Sequence, residues 1–395
     1  MEFKFGDRLK MFRLAGAMSM DELAVATDGL VTKQAISKYE RGLMSPSPRV
    51  LKALAGLFGV KMAELLAPPS FEVSVLAYRR TNQLAKKEQY RVESLVKRML
   101  EQRVRLQEAS GGHNGGKIPL ARHAPSTLEE CEEIAVSVRD SWQLGRDPIA
   151  CVTDVLEEHH IHVLELETEH AFDGLAAVAR DDSGQVKAAA VVSRKGVDGE
   201  RQRLNLTHEL GHLVMKETSG IDEEKAAFRF GAAFLAPADS VRRDVGNRRR
   251  KVSLGELLLL KKRYGMSIQA LIYRLSDLDI ITQGQTSGLW RQINARGWKK
   301  KEPGYLAPET PQWVRRAAAR ALAEGTLSVD EVESIVGFSF NEARKDESSN
   351  RRDLMKLPMA ERKRLLKLDA HRAREQYLED EEWMLLLAGE PPSDG

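Results

Sequence analysis

A length of 395 residues predicts two or three domains. A composition of 42% hydrophobic and 30% charged residues is typical of a globular protein. The net charge of +3 is too small to indicate nucleic-acid binding by itself. The two cysteines, Cys131 and Cys151, lack metal-binding spacing and suit a reducing cytosol as buried thiols. Because no apolar run approaches membrane-spanning length and the N-terminus lacks a signal-peptide core, we expect a cytoplasmic protein without a membrane anchor.

Residues 1–67 have the spacing of five short helices. Ser19 and Glu22 form a capping-box pattern at the start of the second helix, and Gly29 ends that helix. Thr32 is the predicted cap of the third helix. A helix, a tight turn and a second helix at this spacing predict a helix-turn-helix domain.

The second helix of such a pair enters the major groove of DNA with its N-terminal residues. A Gln side chain can hydrogen-bond to adenine, and a Lys side chain can bind guanine or phosphate. Arg41 and Arg49 are placed to contact the DNA backbone. The predicted partner is a double-stranded operator. The predicted DNA-binding residues are Thr32, Lys33, Gln34, Ser37, Lys38 and Arg41. The alternative is a small helical bundle that binds another protein.

Residues 68–126 are a predicted connector. Pro68 and Pro69 end the fifth helix, residues 71–80 are compatible with a short extended piece, and a long charged helix follows. This helix has one apolar stripe, which needs a partner. The stripe comprises Leu84, Leu95, Val96, Met99, Leu100 and Val104. It either packs on the rest of the chain or pairs two copies as a homodimer. The sequence GGHNGGK, with a solvated His113, is a predicted flexible linker.

Residues 127–290 begin with alternating helical and strand patterns. Helices are predicted from Thr127 and over 149–159, a strand over 161–167, and a hairpin from 172–180 and 186–194 around Asp182-Ser183-Gly184. Such a sheet would offer an edge to an extended substrate. The neighbouring histidines at 159, 160 and 162 are interpreted as surface residues rather than metal ligands.

An H-E-x-x-H pattern lies in LNLTHELGHLVM, residues 204–215. On a helix, His208 and His212 lie one turn apart on the same face, so both imidazoles can reach one metal ion. In metalloproteases with this pattern the histidines hold zinc and the glutamate, here Glu209, takes a proton from the activated water. The alternative is a buried helix with two hydrogen-bonded histidines.

A catalytic zinc ion needs a third protein ligand and an open position. The next helical pattern spans residues 222–237, and its packing face comprises Ala227, Phe230, Gly231 and Phe234. Glu224 lies on that face, where a carboxylate is costly unless it is paired or metal-bound, so Glu224 is the predicted third ligand. Glu223 is the alternative ligand, and Asp222 is the predicted N-cap.

The remaining patterns are basic or helical. Six basic residues within 242–251 are interpreted as a solvated loop, with DNA or an acidic substrate segment as alternative contacts. Residues 254–262 and 267–275 are predicted core helices. Residues 291–395 are a predicted helical C-terminal region that ends in the disordered sequence GEPPSDG.

Two groups of motifs resemble known families. RLKMFR, MDELA, TKQAISKYERG and LAGLFGVKMAELL resemble the Xre family of phage-repressor-like domains. DGLAAVAR, ERQRLNLTHELGHLVM, EKAAFRFGAAFLAP and ELLLLKKRYGMSIQALIYR resemble the ImmA/IrrE family of metallopeptidases. The second resemblance implies zinc held by His208, His212 and Glu224, with Glu209 as general base. Its members typically cut a partner repressor, often in stress responses or mobile elements.

The chain departs from the ImmA/IrrE pattern at one position of the ligand helix. The family usually places Asn or Asp after the Ala, where this chain has Phe228. That polar side chain would support a ligand imidazole, so its absence bears on metal affinity or rate.

The patterns and resemblances together predict an α+β fold that is mainly α with a small β-sheet. It comprises a five-helix lambda-repressor-like domain, a long connecting helix, a zincin-like peptidase domain and a helical C-terminal region. The favoured function is a DNA-binding zinc endopeptidase that cleaves a partner repressor. The alternative is a non-proteolytic Xre-type regulator whose peptidase-like domain senses a signal.

Overall fold

Five short helices form the N-terminal part of the computed structural model. The described residues are 5–68, 71–76, 85–110, 118, 120, 123–168, 172–216 and 220–336. The five helices are α1 (Phe5–Ala15), α2 (Met20–Ala26), α3 (Lys33–Glu40), α4 (Pro48–Phe58) and α5 (Met62–Leu66). The Ser19 hydroxyl accepts from the Glu22 amide at 3.1 Å while the Glu22 carboxylate accepts from the Ser19 amide at 2.6 Å. The predicted capping box and the five-helix arrangement are confirmed.

The long helix α6 (Lys86–Ala109) shows where the predicted apolar stripe packs. Of that stripe, Val96, Leu100 and Val104 are buried and, with Val92 one turn earlier, contact one face of the β-sheet, so this part of the stripe packs within the chain. A homodimer stays a prediction.

None of the helices in the described ranges is long and apolar enough to cross a membrane. The predicted linker at 111–117 with His113, residues 77–84 and the predicted tail at 337–395 lie outside the described residues.

A four-stranded mixed sheet has the order β1-β3-β4-β2. The strands are β1 (Glu72–Val75), β2 (Ile161–Leu166), β3 (Gly174–Arg180) and β4 (Val186–Arg194). The predicted hairpin is confirmed, with Leu175 opposite Val192 in the antiparallel β3–β4 pair. β2 runs parallel to β4, and β1 runs antiparallel to β3. One edge strand therefore comes from the predicted connector; the domain boundaries stay predictions.

Helices cover the other face of the sheet, which gives three layers: α6, the sheet, and a helical layer. Ala176 and Val178 of β3 face this helical layer, whereas Leu175, Ala177 and Ala179 face α6, as strand alternation requires. The layer contains α7 (Leu128–Ser141), α8 (Val152–Glu158), α9 (Gly199–Val214) and α10 (Glu223–Leu235). Next come α11 (Ala238–Val245), α12 (Leu254–Tyr264), α13 (Ile268–Asp277) and α14 (Gln283–Ala295).

The basic run at 242–251 is not a single solvated loop, so that interpretation is wrong in part. Arg242 and Arg243 lie in the last turn of α11. Arg249 pairs with Glu256 at 2.9 Å and donates to the carbonyl of Val245. The Arg249 amide also donates to the Ile280 carbonyl, and the Gln285 side chain donates to the Arg249 carbonyl, both at 2.9 Å. These distant partners fix part of the run, which local composition does not reveal.

The N-terminal helices dock on α6 through buried polar contacts. Arg8 of α1 forms an ion pair with Glu101, and both side chains are largely buried. The Arg98 guanidinium lies 5.3 Å from the ring centre of Phe12 and donates to the Phe58 carbonyl at 3.2 Å. Two further helices, α15 (Trp313–Ala323) and α16 (Val329–Val336), also contact α6. One helix thus touches the sheet, the N-terminal helices and the last described helices.

The β3–β4 turn gives a pH-dependent prediction. The Ser183 hydroxyl, Lys187 and two backbone amides lower the pKa of Asp181 to about 2 from 3.8. A lowered pKa means that the charged form stabilises the folded state above pH 4 and that this contribution is lost as the pH falls towards 2. We expect Asp181→Asn to lower the melting temperature at pH 5 and the difference from wild type to shrink towards pH 2. Asp182→Asn, on the same turn, is the matched control, and an equal, pH-independent effect of both would contradict the prediction.

Candidate metal centre

Helix α9 holds the H-E-x-x-H residues between the sheet and α10. Leu206, Leu210 and Leu213 are fully buried in the core, which fixes the helix against β3 and β4. His208 and Glu209 are themselves 6% and 5% exposed. One helical turn brings the Nε2 atoms of His208 and His212 to 3.1 Å from each other. Two imidazoles therefore share one face at the edge of the core.

Helix α10 brings the third residue to the histidines. The carboxylate of Asp222 accepts from the Lys225 amide at 2.8 Å, so Asp222 is the N-cap as predicted. Glu224 follows in the first turn, with one carboxylate oxygen 3.5 Å from Nε2 of His208 and the other 3.6 Å from Nε2 of His212. His208, His212 and Glu224 form a group of potential metal ligands within the described ranges. The neighbouring Glu223 is not a member of that group.

The geometry of this group fits a zinc ion. Zn–N and Zn–O bonds of 2.0–2.2 Å in a tetrahedral site place neighbouring ligand atoms about 3.3 Å apart. The three separations here are 3.1, 3.5 and 3.6 Å. Two imidazoles and one carboxylate also match the ligand types of catalytic zinc sites, which leave the fourth position open.

Two glycines permit the close approach of α9 and α10. A Cβ atom added at Gly231 would lie 3.0 Å from the backbone nitrogen of His208 and 3.1 Å from the Thr207 hydroxyl. One added at Gly211 would lie 3.2 Å from the Phe230 ring and 3.3 Å from Cα of Ala227. Each helix thus presents a glycine to its partner, and the short separation brings Glu224 within reach of the histidines.

We expect Gly231→Ala to push α10 away from α9. Overpacking of this kind costs about 1–3 kcal/mol of stability and should weaken zinc binding because Glu224 moves with its helix. The matched control is Gly288→Ala on α14, where an added Cβ meets no atom of the described chain within 4 Å and should stabilise the helix by up to about 1 kcal/mol. Urea unfolding and zinc titration of both variants test the prediction, which fails if the two substitutions have the same effect.

Glu209 packs against the first residue of β3. A Cβ atom added at Gly174 would lie 2.8 Å from Oε1 of Glu209, so a larger residue at position 174 would displace the carboxylate. Sequence reasoning missed this residue. A glycine inside an apolar strand pattern is the signal that would have pointed to a close neighbour. The strand therefore positions the predicted general base.

A segment that we call the α9 strap, residues 302–312, crosses the beginning of α9. The Gly199 amide donates to the Leu306 carbonyl at 2.9 Å. The Gln202 side chain bonds both backbone groups of Glu309, at 2.8 and 2.6 Å. The Glu309 carboxylate pairs with Arg203 and accepts from the Thr153 amide at 2.7 Å. These bonds hold the helix that carries His208.

The predicted DNA-binding residues run along α3 from its N-cap, Thr32, to its C-cap, Arg41. Thr32, Lys33, Gln34, Lys38 and Arg41 are exposed, and Ser37 is half-buried. The Thr32 hydroxyl accepts from the Ala35 amide at 3.2 Å, which confirms the predicted helix cap. Lys33 pairs with Asp21 at 2.7 Å on the surface, so DNA would have to compete with that carboxylate. Contact of these residues with DNA stays a prediction.

Two family models match the chain. Residues 9–65 match the model described as helix-turn-helix. Residues 157–276 match the model described as the IrrE N-terminal-like domain. The chain joins an Xre-like helix-turn-helix to an IrrE-like peptidase segment. Both predicted resemblances are confirmed, and this combination supports a DNA-binding regulator with a metallopeptidase-like domain. A search of curated proteins found no match to the chain.

The IrrE-like segment contains all four residues of the candidate centre, but β1, α6 and the α9 strap lie outside it. Phe228, where the chain departs from the family pattern, lies beside the centre. Its ring centre is 4.2 Å from that of His208, with the planes tilted by 53°. Nδ1 of His208 is buried and has no hydrogen-bond partner among the described residues.

His159, His162 and the two cysteines are not members of the candidate ligand group. His162 is buried with its ring 4.4 Å from that of Trp313, so its interpretation as a surface residue is wrong. His159 packs on Trp142, and burial lowers its pKa. Burial also raises the pKa of Cys131 to about 11 and that of Cys151 to about 12, so neither thiol is a ready nucleophile at neutral pH.

Proposed function

We propose that the chain is a DNA-binding, zinc-dependent endopeptidase that regulates transcription by cleaving a partner repressor. The observation that carries this proposal is the position of Glu209, which adjoins the first histidine of a three-ligand group whose spacing fits zinc. The match to the IrrE N-terminal-like model supports the peptidase part, and the helix-turn-helix match supports the DNA-binding part.

Each residue of the centre has a distinct role in this proposal. His208, His212 and Glu224 would hold the ion, which would polarise the scissile carbonyl and make water acidic enough to attack near neutral pH. Glu209 accepts the proton of the attacking water on its carboxylate and then delivers it to the leaving amine. Gly174 leaves room for that carboxylate, because any larger side chain at this position would occupy the same space.

The sheet offers a way to bind an extended polypeptide. Among the described residues β1 pairs with β3 from Ala177 to Arg180, and the Leu76 amide donates to the Ala176 carbonyl at 2.8 Å, whereas Gly174 lies beside Glu209 at the other end of β3. A substrate strand that pairs with this end of β3 would pass the candidate centre, with main-chain hydrogen bonds providing affinity.

The helix-turn-helix would place the peptidase at an operator. Thr32, Lys33, Gln34, Ser37, Lys38 and Arg41 are the proposed DNA contacts. Alternatively, this domain mimics the dimerisation surface of the repressor. A cytoplasmic homodimer suits a symmetrical operator, and a stress response or a mobile element is the proposed setting.

Metal-dependent cleavage is the test of this function. The purified chain, stripped of metal and then supplied with zinc, is incubated with the repressor encoded beside it, and the products are separated by mass. We expect defined repressor fragments only in the zinc-loaded reaction, and their loss when a chelator is added. An intact repressor in every reaction, with zinc shown to be bound, would overturn the proposal.

Phe228 favours a second candidate function, in which the peptidase-like domain senses a signal and does not cut. Its ring stands where a polar supporter of His208 is expected, and such supporters normally raise metal affinity. The two functions differ in which substitution matters for regulation. The non-proteolytic function is correct if Glu209→Gln leaves operator regulation intact while Lys33→Ala and Gln34→Ala abolish it.

A further inference from the structure

Phe228 and Glu224 lie on the same face of α10, because residues four apart are one turn apart. The ring of Phe228 therefore stands beside the carboxylate that approaches the two histidines. It contacts the His208 imidazole, with ring centres 4.2 Å apart, and it is itself half-buried. The contact joins the ligand residue of α9 to the helix that supplies the third ligand.

His208 has an unusual environment for a metal ligand. Its Nε2 atom faces His212 and Glu224, so Nδ1 is the atom that points away from the ion site. A ligating histidine almost always donates from this second nitrogen to a carboxylate, a carbonyl or water, which fixes the orientation of the ring. Here Nδ1 is buried without a hydrogen-bond partner in the described ranges. Within the described part of the chain, no hydrogen bond from Nδ1 fixes the ring of His208.

We propose that Phe228 is the positioning residue for His208 and that it orients the imidazole by ring packing. The inference rests on the proposed zinc site and deepens it. Three features support it: the ring contact, the buried Nδ1 atom, and the placement of Phe228 one turn after Glu224. The affinity of this centre for zinc then depends on aromatic packing, and a side chain at position 228 that accepts a hydrogen bond would replace that function.

Zinc affinity, measured by competition with a chromogenic chelator in the absence of substrate, tests the proposal. We expect Phe228→Ala to weaken zinc binding by about 10–100-fold, the usual effect of losing an outer partner of a ligand. Phe228→Leu should fall between Ala and wild type, because it retains bulk without the ring. Phe228→Asn should recover affinity over Phe228→Ala, because its carboxamide oxygen can accept from Nδ1. The visible spectrum of the cobalt-loaded variants should report the same order.

The matched control is Phe234→Leu, a core substitution on the same helix. The Phe234 ring contacts Trp142 and Phe230 rather than His208. Phe234→Leu should lower the melting temperature of the metal-free chain and leave its zinc affinity unchanged. The proposal is overturned if Phe228→Ala binds zinc as tightly as wild type, if Phe228→Asn is no tighter than Phe228→Ala, or if Phe234→Leu weakens binding equally. Wild type that binds zinc but cuts no repressor would overturn only the proposed function, and wild type that binds no zinc would overturn both.

Discussion

Glu209→Gln should lower the rate of repressor cleavage by roughly a hundredfold or more, because the carboxamide cannot accept the proton of the attacking water. The substitution keeps the size of a side chain that is packed against Gly174 and almost fully buried, so the fold should not change. Zinc affinity should also stay within a fewfold of wild type, because Glu209 is not one of the three clustered ligand residues. The measurement is the initial rate of fragment formation at saturating zinc, together with the zinc dissociation constant.

The matched control for this experiment is Glu223→Gln. Glu223 is a carboxylate in the first turn of α10, next to Glu224 but outside the ligand group. This variant should cleave at the wild-type rate and bind zinc normally. If Glu209→Gln yields the same fragments at the wild-type rate, Glu209 is not the general base. If Glu223→Gln loses zinc, the third ligand has been assigned to the wrong carboxylate.

Glu309→Ala should destabilise the chain by about 3–5 kcal/mol, because it leaves the buried guanidinium of Arg203 without its counter-charge. The side chains of Arg203 and Glu309 are 5% and 11% exposed. The substitution also removes the acceptor for the Thr153 amide at the start of α8. Urea unfolding monitored by circular dichroism gives the stability change.

An exposed ion pair provides the comparison for Glu309. Glu324 pairs with Arg320 on α15, where the two side chains are 44% and 57% exposed. Glu324→Ala should change stability by less than about 0.5 kcal/mol, because solvent screens the pair. A loss below about 1 kcal/mol for Glu309→Ala would show that the α9 strap does not hold α9 in place.

Local signals predicted the element boundaries well. Ser19, Thr32, Thr127 and Asp222 each cap a helix at the predicted position, because a cap depends on bonds to residues only three positions away. The hairpin also followed from alternation around a short turn. The packing partners of β1 and α6 could not be predicted in this way, because an apolar stripe shows that a helix or strand has a partner but not which one.

The candidate centre was predicted to the same extent. The structure brings His208, His212 and Glu224 together, as expected from one helical turn and from a carboxylate on an apolar helix face. Metal binding by these residues and the role of Glu209 stay predictions. The close contact of Gly174 with Glu209 joins residues 35 positions apart in the sequence, and no local pattern encodes it. Likewise, the local sequence around His162 indicates a surface residue, but Trp313, which is distant in the sequence, packs against its ring.

The position of β1 and α6 determines how the protein could be shortened. A fragment that begins at residue 127 would lack both elements, so Leu164, Leu175 and Val192 would face water and the edge of β3 would lose its neighbour. An apolar sheet with an open edge is a template for self-association. Removing the helix-turn-helix by truncation should therefore yield an aggregating fragment, and point substitutions are the sounder way to study the helix-turn-helix and the peptidase-like domain separately.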